Sequence, residues 1–297
     1  MPTAPVADEL PGGPTTRKRL VGIRLRALRE RQGLSTEQAG ELAGVSKATV
    51  SRYERGKGTI KWPVVDQLCR ASKAPDSMRE DLVALTKSSQ DTHGWWVPYA
   101  DQLSDQMLLL LSLEYEAARI SHFSLGVVPG LLQTLDYARS IAPTPEGALP
   151  QSEVEDFLSI RMQRPAEVLD RASPPAFHVV LDEAVLRRST GSPEVMAAQL
   201  DHLLERGREP NITIQVLPFD RGSYSAALNT FVVYGGADPE LDVVFLENQA
   251  GSLFLEAEAA REKYSNTFSF LRQEALDARK SAQMIAEARK THLQRHT

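Results

Sequence analysis

Leu34-Ser35-Thr36-Glu37-Gln38-Ala39-Gly40-Glu41-Leu42-Ala43-Gly44-Val45-Ser46-Lys47-Ala48-Thr49-Val50-Ser51-Arg52-Tyr53-Glu54-Arg55-Gly56 has the punctuation of two short helices joined by a tight turn. Ser35 and Ser46 each stand where a hydroxyl can accept a hydrogen bond from the first free N–H groups of a helix. Ala39, Leu42 and Ala43 share one face at three-and-four spacing, and Val50 and Tyr53 share another beyond the turn. The spacing predicts that these two faces pack on each other. Gly44 suits the left-handed backbone of a helix end, and Val45 is placed to plug the gap behind it. With Val50 and Tyr53 inward, Lys47, Ala48, Thr49 and Arg52 remain on the outward face of the second helix. Cations, a small side chain and a hydroxyl on one face suit a DNA major groove.

Working outward, Leu25-Arg26-Ala27-Leu28-Arg29, Gly33-Leu34-Ser35, Leu42-Ala43-Gly44-Val45-Ser46 and Val50-Ser51-Arg52-Tyr53-Glu54-Arg55-Gly56 occur in an order and spacing that resemble a known family. It is the phage-repressor-like helix-turn-helix class called XRE or Cro/C1, and the resemblance covers roughly residues 20–88. It implies an all-α, five-helix, lambda-repressor-like DNA-binding domain. The sequence supplies the other three helices: Val21 to Arg31 with Val21, Leu25 and Leu28 inward, one from Pro63, and one from about Pro75. Both prolines suit a first helical turn. The pattern departs from the family at Ala39-Gly40, where a larger apolar residue followed by alanine is commoner. By resemblance, Arg29 and Glu54 form a partly buried structural ion pair. Lys47, Ala48 and Arg52 fall where the family reads base edges, and Thr36, Thr49 and Lys57 where it holds phosphates, with Ser46 beside them at the helix start. On an arbitrary helix pair such charges would be a solvated face; the family spacing is what favours double-stranded DNA.

The charge distribution agrees with a local polyanion site. The chain carries a formal net charge of -5, yet residues 1–90 hold 16 Lys and Arg against 10 Asp and Glu, and residues 91–297 hold 18 against 29. A head of +6 is thus joined to a body of -11. Charge on the far side of a molecule is screened beyond about 8 Å at physiological salt, so the acidic body does not cancel the attraction of the head.

A chain of 297 residues with 42% apolar side chains suggests about two domains with real cores. The expected boundaries are a disordered tail over 1–16, the DNA-binding domain over 17–90, a linker over 91–103 and a body over 104–293. Pro2, Pro5, Pro11 and Pro14 with few large apolar neighbours read as a tail and not as a signal peptide. No apolar run reaches the roughly 18 residues of a membrane span; the longest, Met107 to Leu113, reads as a buried turn of a longer helix. The single cysteine, Cys69, excludes an internal disulfide and clustered thiolate metal ligation, and lies beside Val65 and Leu68 as a small core residue. These features fit a cytoplasmic protein, nucleoid-associated when bound to DNA, with no metal or other cofactor.

The body mixes strand and helix signals and is expected to be an α+β domain. Strands are predicted at Phe177–Leu181, Ile212–Leu217, Thr230–Tyr234, Val243–Leu246 and Leu253–Leu255. Helices are predicted at Ser104–Ile120, Leu131–Ile141, Ser152–Arg171, Pro193–Glu205 and Glu256 to about His292 with a break near Leu276. Val128-Pro129-Gly130-Leu131-Leu132-Gln133-Thr134, Arg161-Met162-Gln163-Arg164, Leu181-Asp182-Glu183-Ala184, Ile214-Gln215-Val216-Leu217-Pro218-Phe219 and Phe245-Leu246-Glu247 resemble the domain that follows XRE heads in actinobacterial Scr1-type antitoxin-like regulators. That resemblance implies transcription control, often beside a small partner protein encoded nearby.

Gln133, Tyr137, Arg139, Asp182, Glu183, Tyr224 and Glu247 are candidates to line a ligand or partner groove. His178 with Asp182, Glu183 and Glu247 could in principle serve acid-base chemistry. No paired-histidine helix, phosphate loop, nucleophile elbow or Cys pair supports an enzyme, however, and acidic residues at a helix start are stabilising by themselves. Trp95-Trp96 reads as an anchor of the linker against the body. The leading expectation is a homodimeric regulator binding an inverted repeat, controlled through its body by a small molecule or small partner protein. The alternative is an antitoxin-like interaction protein that sequesters a small partner and uses DNA binding for autoregulation.

Overall fold

A computed structural model describes residues 14–89, 94–142, 151–221, 229–236, 239–248 and 251–294, and the chain divides into two compact units at Glu116/Ala117. In the first unit, five helices carry the expected head: α1 (Pro14–Arg31), α2 (Thr36–Ala43), α3 (Lys47–Glu54), α4 (Trp62–Ala71) and α5 (Asp76–Ser88). Val21, Leu25 and Leu28 of α1 share one core with Ala39, Ala43, Val50, Tyr53, Val65, Leu68, Cys69, Leu82 and Leu85. Burial pushes the Cys69 thiol up to about 11, which leaves it protonated and inert in that core. Of the tail expected over 1–16, residues up to 13 lie outside the described ones, while Pro14 already begins α1.

Two glycines set how closely the helices approach. A Cβ at Gly22 would stand 2.6 Å from the carbonyl oxygens of both Tyr53 and Glu54, so α1 crosses the end of α3 with backbone against backbone. A Cβ at Gly40 would stand 2.6 Å from the Val45 carbonyl oxygen. That contact corrects one expectation: Leu42, predicted to face inward, is 64% exposed. The turn closes over the small edge Ala39-Gly40-Ala43 of α2, and Leu42 is rotated out to solvent.

A further helix, α6 (Asp105–Glu116), packs against α1 and belongs to the first unit. The division between the two compact units lies after Glu116, whereas the sequence reading starts the body at 104. Trp96 meets Tyr115 of α6 edge-on at 5.4 Å, so the tryptophan pair packs on a helix that the sequence reading assigns to the body and that the structure groups with the first unit.

The second unit is a mixed six-stranded sheet in the order β3-β2-β1-β4-β5-β6: β1 (Arg119–Ser124), β2 (Ala176–Asp182), β3 (Ile212–Leu217), β4 (Phe231–Gly235), β5 (Val243–Asn248) and β6 (Gly251–Leu255). β1, β2 and β3 are parallel, linked through α7 (Leu135–Ile141) with α8 (Gln151–Val168) and through α9 (Glu183–Arg187) with α10 (Pro193–Arg206). β4, β5 and β6 add antiparallel. α11 (Glu258–Glu274) lays Phe268 and Leu271 on the face formed by Phe123, Val180, Leu217, Phe231, Val233, Val244 and Leu246. α12 (Ala278–Gln294) returns along α10 and β3.

The predicted strands are all present, but the central one, β1, falls partly within the predicted helix Ser104–Ile120. Its sequence hides it, because His122 and Ser124 occupy positions where a strand would show branched apolar residues. Desolvation and the charge of Arg164 push the His122 imidazole down to about 3, so it is neutral at physiological pH. Ser124 is buried and donates to the Val127 carbonyl at 2.6 Å.

The chain folds back onto the outer edge of β3 at Val216. Leu276 N–H donates to the Val216 carbonyl at 2.9 Å, Val216 N–H donates to Ser281 Oγ at 2.9 Å, and Gln215 Nε2 donates to the Leu276 carbonyl at 2.8 Å. The predicted break near Leu276 is thus the segment that returns to the sheet.

The α1–α3 contact generates a prediction for the head. Gly22→Ala forces a methyl into two backbone carbonyls and should lower stability by about 1–3 kcal/mol, the usual cost of overpacking. Urea unfolding monitored by helical circular dichroism checks it; an unchanged midpoint would contradict the backbone contact.

Candidate nucleic-acid interface

The turn between α2 and α3 is fixed at both ends by local hydrogen bonds. Ser35 Oγ accepts from Gln38 N–H at 3.1 Å while Gln38 Oε1 accepts from Ser35 N–H at 2.9 Å, a reciprocal box that starts α2. Gly44 ends it in the left-handed conformation at φ 67°, and Val45 N–H returns to the Gly40 carbonyl at 2.8 Å. Ser46 Oγ then accepts from Thr49 N–H at 3.1 Å and lies 3.0 Å from the Thr49 hydroxyl. α3 therefore starts at a defined point relative to α2.

The far end of α3 is held by charge. Arg29 Nε donates to Glu54 Oε1 at 2.5 Å and its Nη2 donates to Oε2 at 3.0 Å, while Nη1 donates to the Leu34 carbonyl at 2.7 Å. The two side chains are only 12% and 8% exposed. The hydrogen bond to Glu54 is the main cause that raises the Arg29 pKa above its ordinary value. One guanidinium thus joins α1, the segment leading into α2, and the last turn of α3. Tyr53, on the buried side of that turn, accepts from Lys61 N–H at 3.0 Å and so fixes the start of α4 as well.

The opposite face of α3 is open. Ser46, Lys47, Ala48 and Arg52 are exposed, as is Lys57 just beyond, and Thr36 and Thr49 are half-buried at the helix starts. The guanidinium carbon of Arg52 lies 5.9 Å from the Tyr53 ring centroid, and a side chain at Gly58 would meet its Cδ, since an added Cβ there would stand 3.6 Å away. Sequence reasoning missed this ring contact. All seven candidate contact residues lie on α2, on α3, at the Ser46 cap between them or in the loop after α3.

In the second unit, the candidate groove residues are dispersed in role. Gln133 and Tyr137 follow β1, Asp182 and Glu183 follow β2, and Glu247 lies near the end of β5, so the pairing directions put them at one end of the sheet. Two of them are corrected as groove-lining groups. Tyr137 is fully buried, with its hydroxyl accepting from Val128 N–H at 3.1 Å, and Gln133 is 5% exposed, donating to the Val128 carbonyl at 2.6 Å and accepting from Arg161 Nη1 at 2.7 Å. They build the Val128–Gly130 turn instead. Buried Gln199 donates to the Leu132 carbonyl at 2.7 Å and accepts from Thr134 N–H at 2.8 Å. It patches a break that divides the single helix expected over Leu131–Ile141 into a short 3-10 turn at Gly130–Leu132 and α7.

Asp182 caps α9 by accepting from Ala184 N–H at 2.8 Å, and nearly buried Glu183 accepts from Phe219 N–H and Arg187 Nε, both at 3.0 Å. Arg139 is exposed on α7 near Asp136 and Glu155. Glu247 is exposed opposite Ser252, and Tyr224 lies outside the described residues. His178 is 2.6 Å from Gln215 Oε1 and edge-on to Phe268 at 5.4 Å, on the sheet face under α11 and away from the carboxylates. No acid-base cluster forms among the described candidates.

The Arg29–Glu54 geometry gives a second prediction. Glu54→Ala leaves a buried guanidinium without its carboxylate and should cost the head about 3 kcal/mol, whereas a matched apolar pair, Arg29→Met with Glu54→Leu, should recover most of that loss. Denaturant unfolding of the three proteins checks it; a loss under about 1 kcal/mol for Glu54→Ala would place the pair among exposed bridges.

Comparison with known proteins bears on both units. A model described as a helix-turn-helix domain matches residues 20–82. A protein of Pyrococcus furiosus named "Putative HTH-type transcriptional regulatory protein" is 46% identical over 50 residues, 17% of this chain and 16% of that protein, so the likeness spans a small part of either. No solved structure matches the chain. A model described as a domain of unknown function (DUF5753) matches residues 108–287, more than half of the chain. The chain belongs to the DUF5753 family and carries a helix-turn-helix domain ahead of the family's own domain.

Proposed function

We propose that this protein is a sequence-specific, DNA-binding transcriptional regulator that acts as a homodimer on an inverted repeat. The observation that carries the reading is the outward face of α3: Lys47, Ala48 and Arg52 are exposed on a helix whose two ends are fixed by the Ser46 cap and the Arg29–Glu54 fork. A rigid helix loses little entropy on docking, and its cations and methyl groups match guanine acceptors and the thymine methyl. Two such helices, one per subunit, would enter successive major grooves about 34 Å apart or a multiple of it. Ser46, Thr36, Thr49 and Lys57 supply the phosphate contacts that set register.

The DUF5753 domain is the regulatory part in this reading. A small molecule or a small partner protein bound there would change the spacing or orientation of the two heads, and it can do so only through different affinities for the two arrangements. The likeness of the body to Scr1-type antitoxin-like regulators of actinobacteria supports a partner protein in that role.

Selection of bound fragments from random duplex DNA by the full-length protein tests the proposal. The expected outcome is an inverted repeat with half-sites about one or two helical turns apart; unselective recovery would overturn it. Within a selected site, Arg52→Ala should lose about 1–3 kcal/mol and relax preference at one or two base pairs. Lys57→Ala should instead weaken all sequences alike and flatten the salt dependence by roughly one unit of slope per phosphate contact. Titrations at several salt concentrations separate the two outcomes, and a uniform loss for Arg52→Ala would reassign it to the backbone.

A further inference from the structure

The two edges of the body's sheet are finished differently. On the β3 side, the Val216 carbonyl accepts from Leu276 N–H and the Val216 N–H donates to Ser281 Oγ, while the Gln215 side-chain amide donates to the Leu276 carbonyl. On the β6 side, no strand among the described residues pairs with the outer edge. β6 reads Gly251-Ser252-Leu253-Phe254-Leu255, without charge or proline, and Leu253 is 51% exposed. Such an edge offers alternate N–H and C=O groups to another strand, and proteins that avoid pairing place lysine, proline or a bulge there.

We propose that β6 pairs antiparallel with β6 of a second copy of this chain, about a dyad at Leu253, so that two sheets join into one. Three observations favour a second copy as the occupant. The strand is self-complementary: with Leu253 opposite Leu253, Ser252 meets Phe254 and Gly251 meets Leu255, an isologous contact as a two-fold axis requires. Electrostatics point the same way, because residues 117–297, the second unit, hold 18 Lys and Arg against 24 Asp and Glu, a charge of -6, while residues 243–255 contain a single charged side chain, Glu247; two acidic units approach best along an uncharged strip. On the β3 edge, by contrast, Leu276 and Ser281 already hold the Val216 N–H and C=O and stand in the way of an added strand at that point.

Five residue pairs bury less than the roughly 1,200–2,000 Å² of a stable interface, so the dimer is weak and concentration-dependent. Two half-sites on one DNA would raise the effective concentration of the partner and tighten it. This inference deepens the homodimeric reading given above and rests on it for the use made of the dimer, not for its existence.

The test uses the full-length protein without DNA. Opposed antiparallel residues have Cα atoms about 4.5–5.5 Å apart, within disulfide reach, and the chain's single native cysteine, Cys69, is buried. Oxidised Leu253→Cys should therefore run as a reducible dimer, while Gln273→Cys, exposed on α11, should not. Sedimentation of the natural chain should show monomer–dimer exchange, and Leu253→Lys should raise the dissociation constant about tenfold or more with an unchanged circular dichroism spectrum.

A natural chain that stays monomeric at every concentration, or a dimer unaffected by Leu253→Lys and not captured by Leu253→Cys, overturns the proposal. So does a β6 edge protected from hydrogen exchange only when a different protein is added. These failures leave selective DNA binding untouched, whereas a β6 dimer that selects no DNA site would sink the regulatory reading alone.

Discussion

A single guanidinium–carboxylate fork, Arg29 with Glu54, sets the position of the helix that faces outward. Its three donors engage α1's partner helix α3 twice and the Leu34 carbonyl once, so three segments distant in sequence share one planar group. Replacing a buried ion pair by apolar residues is often neutral for stability. Its particular contribution is therefore directional: two parallel hydrogen bonds fix angle as well as distance. Gly22 makes the fork possible, since any side chain there would hold α1 away from the carbonyls of Tyr53 and Glu54. The Ser46 cap fixes the other end of α3, and the residues between can only present Lys47, Ala48 and Arg52 outward.

Most of the head was legible because its signals are local. Ser35 and Ser46 act within four residues, Gly44 acts on its own backbone, and Val50 and Tyr53 follow the helical period. Leu42 was misread for a physical reason. Periodicity places side chains on faces by size and polarity, but the orientation of α2 is decided by how closely the Val45 carbonyl can approach Gly40. A stripe of small residues wins the inward face because it permits a backbone contact, and leucine is turned to water.

The body was legible where strands were apolar and obscure where polar groups were buried with partners. β1 is central in the sheet, yet His122 and Ser124 break its pattern, and only the tertiary surroundings that keep His122 neutral and satisfy Ser124 make them acceptable there. The same mechanism explains Tyr137 and Gln133. Polar side chains near a turn look like ligand groups in sequence, whereas here they pair with Val128 and Arg161 to stabilise the turn itself. The grouping of α6 with the first unit was illegible for another reason: the run Leu108–Leu111 with Leu113 looks the same whichever unit buries it, and it is the packing of α6 on α1 that groups it there.

Charge and sheet edges together constrain what this molecule can become. Residues 1–90, which hold the five helices of the head, carry +6 and the second unit, residues 117–297, carries -6, so approach to a polyanion is favoured through the head, because beyond about 8 Å the acidic unit is screened. The same acidity opposes random association of bodies, so any contact between copies must run where charge is absent and hydrogen-bonding capacity remains. On β3 part of that capacity is taken, because Leu276 and Ser281 hold both backbone groups of Val216. β6 keeps it, in an uncharged five-residue strand. In the proposed dimer a weak, two-fold contact of that kind would have a functional consequence: single heads would fall off single half-sites, while paired half-sites would hold both copies at once, so the symmetry of the DNA, and not affinity for any one site, would decide where the protein stays.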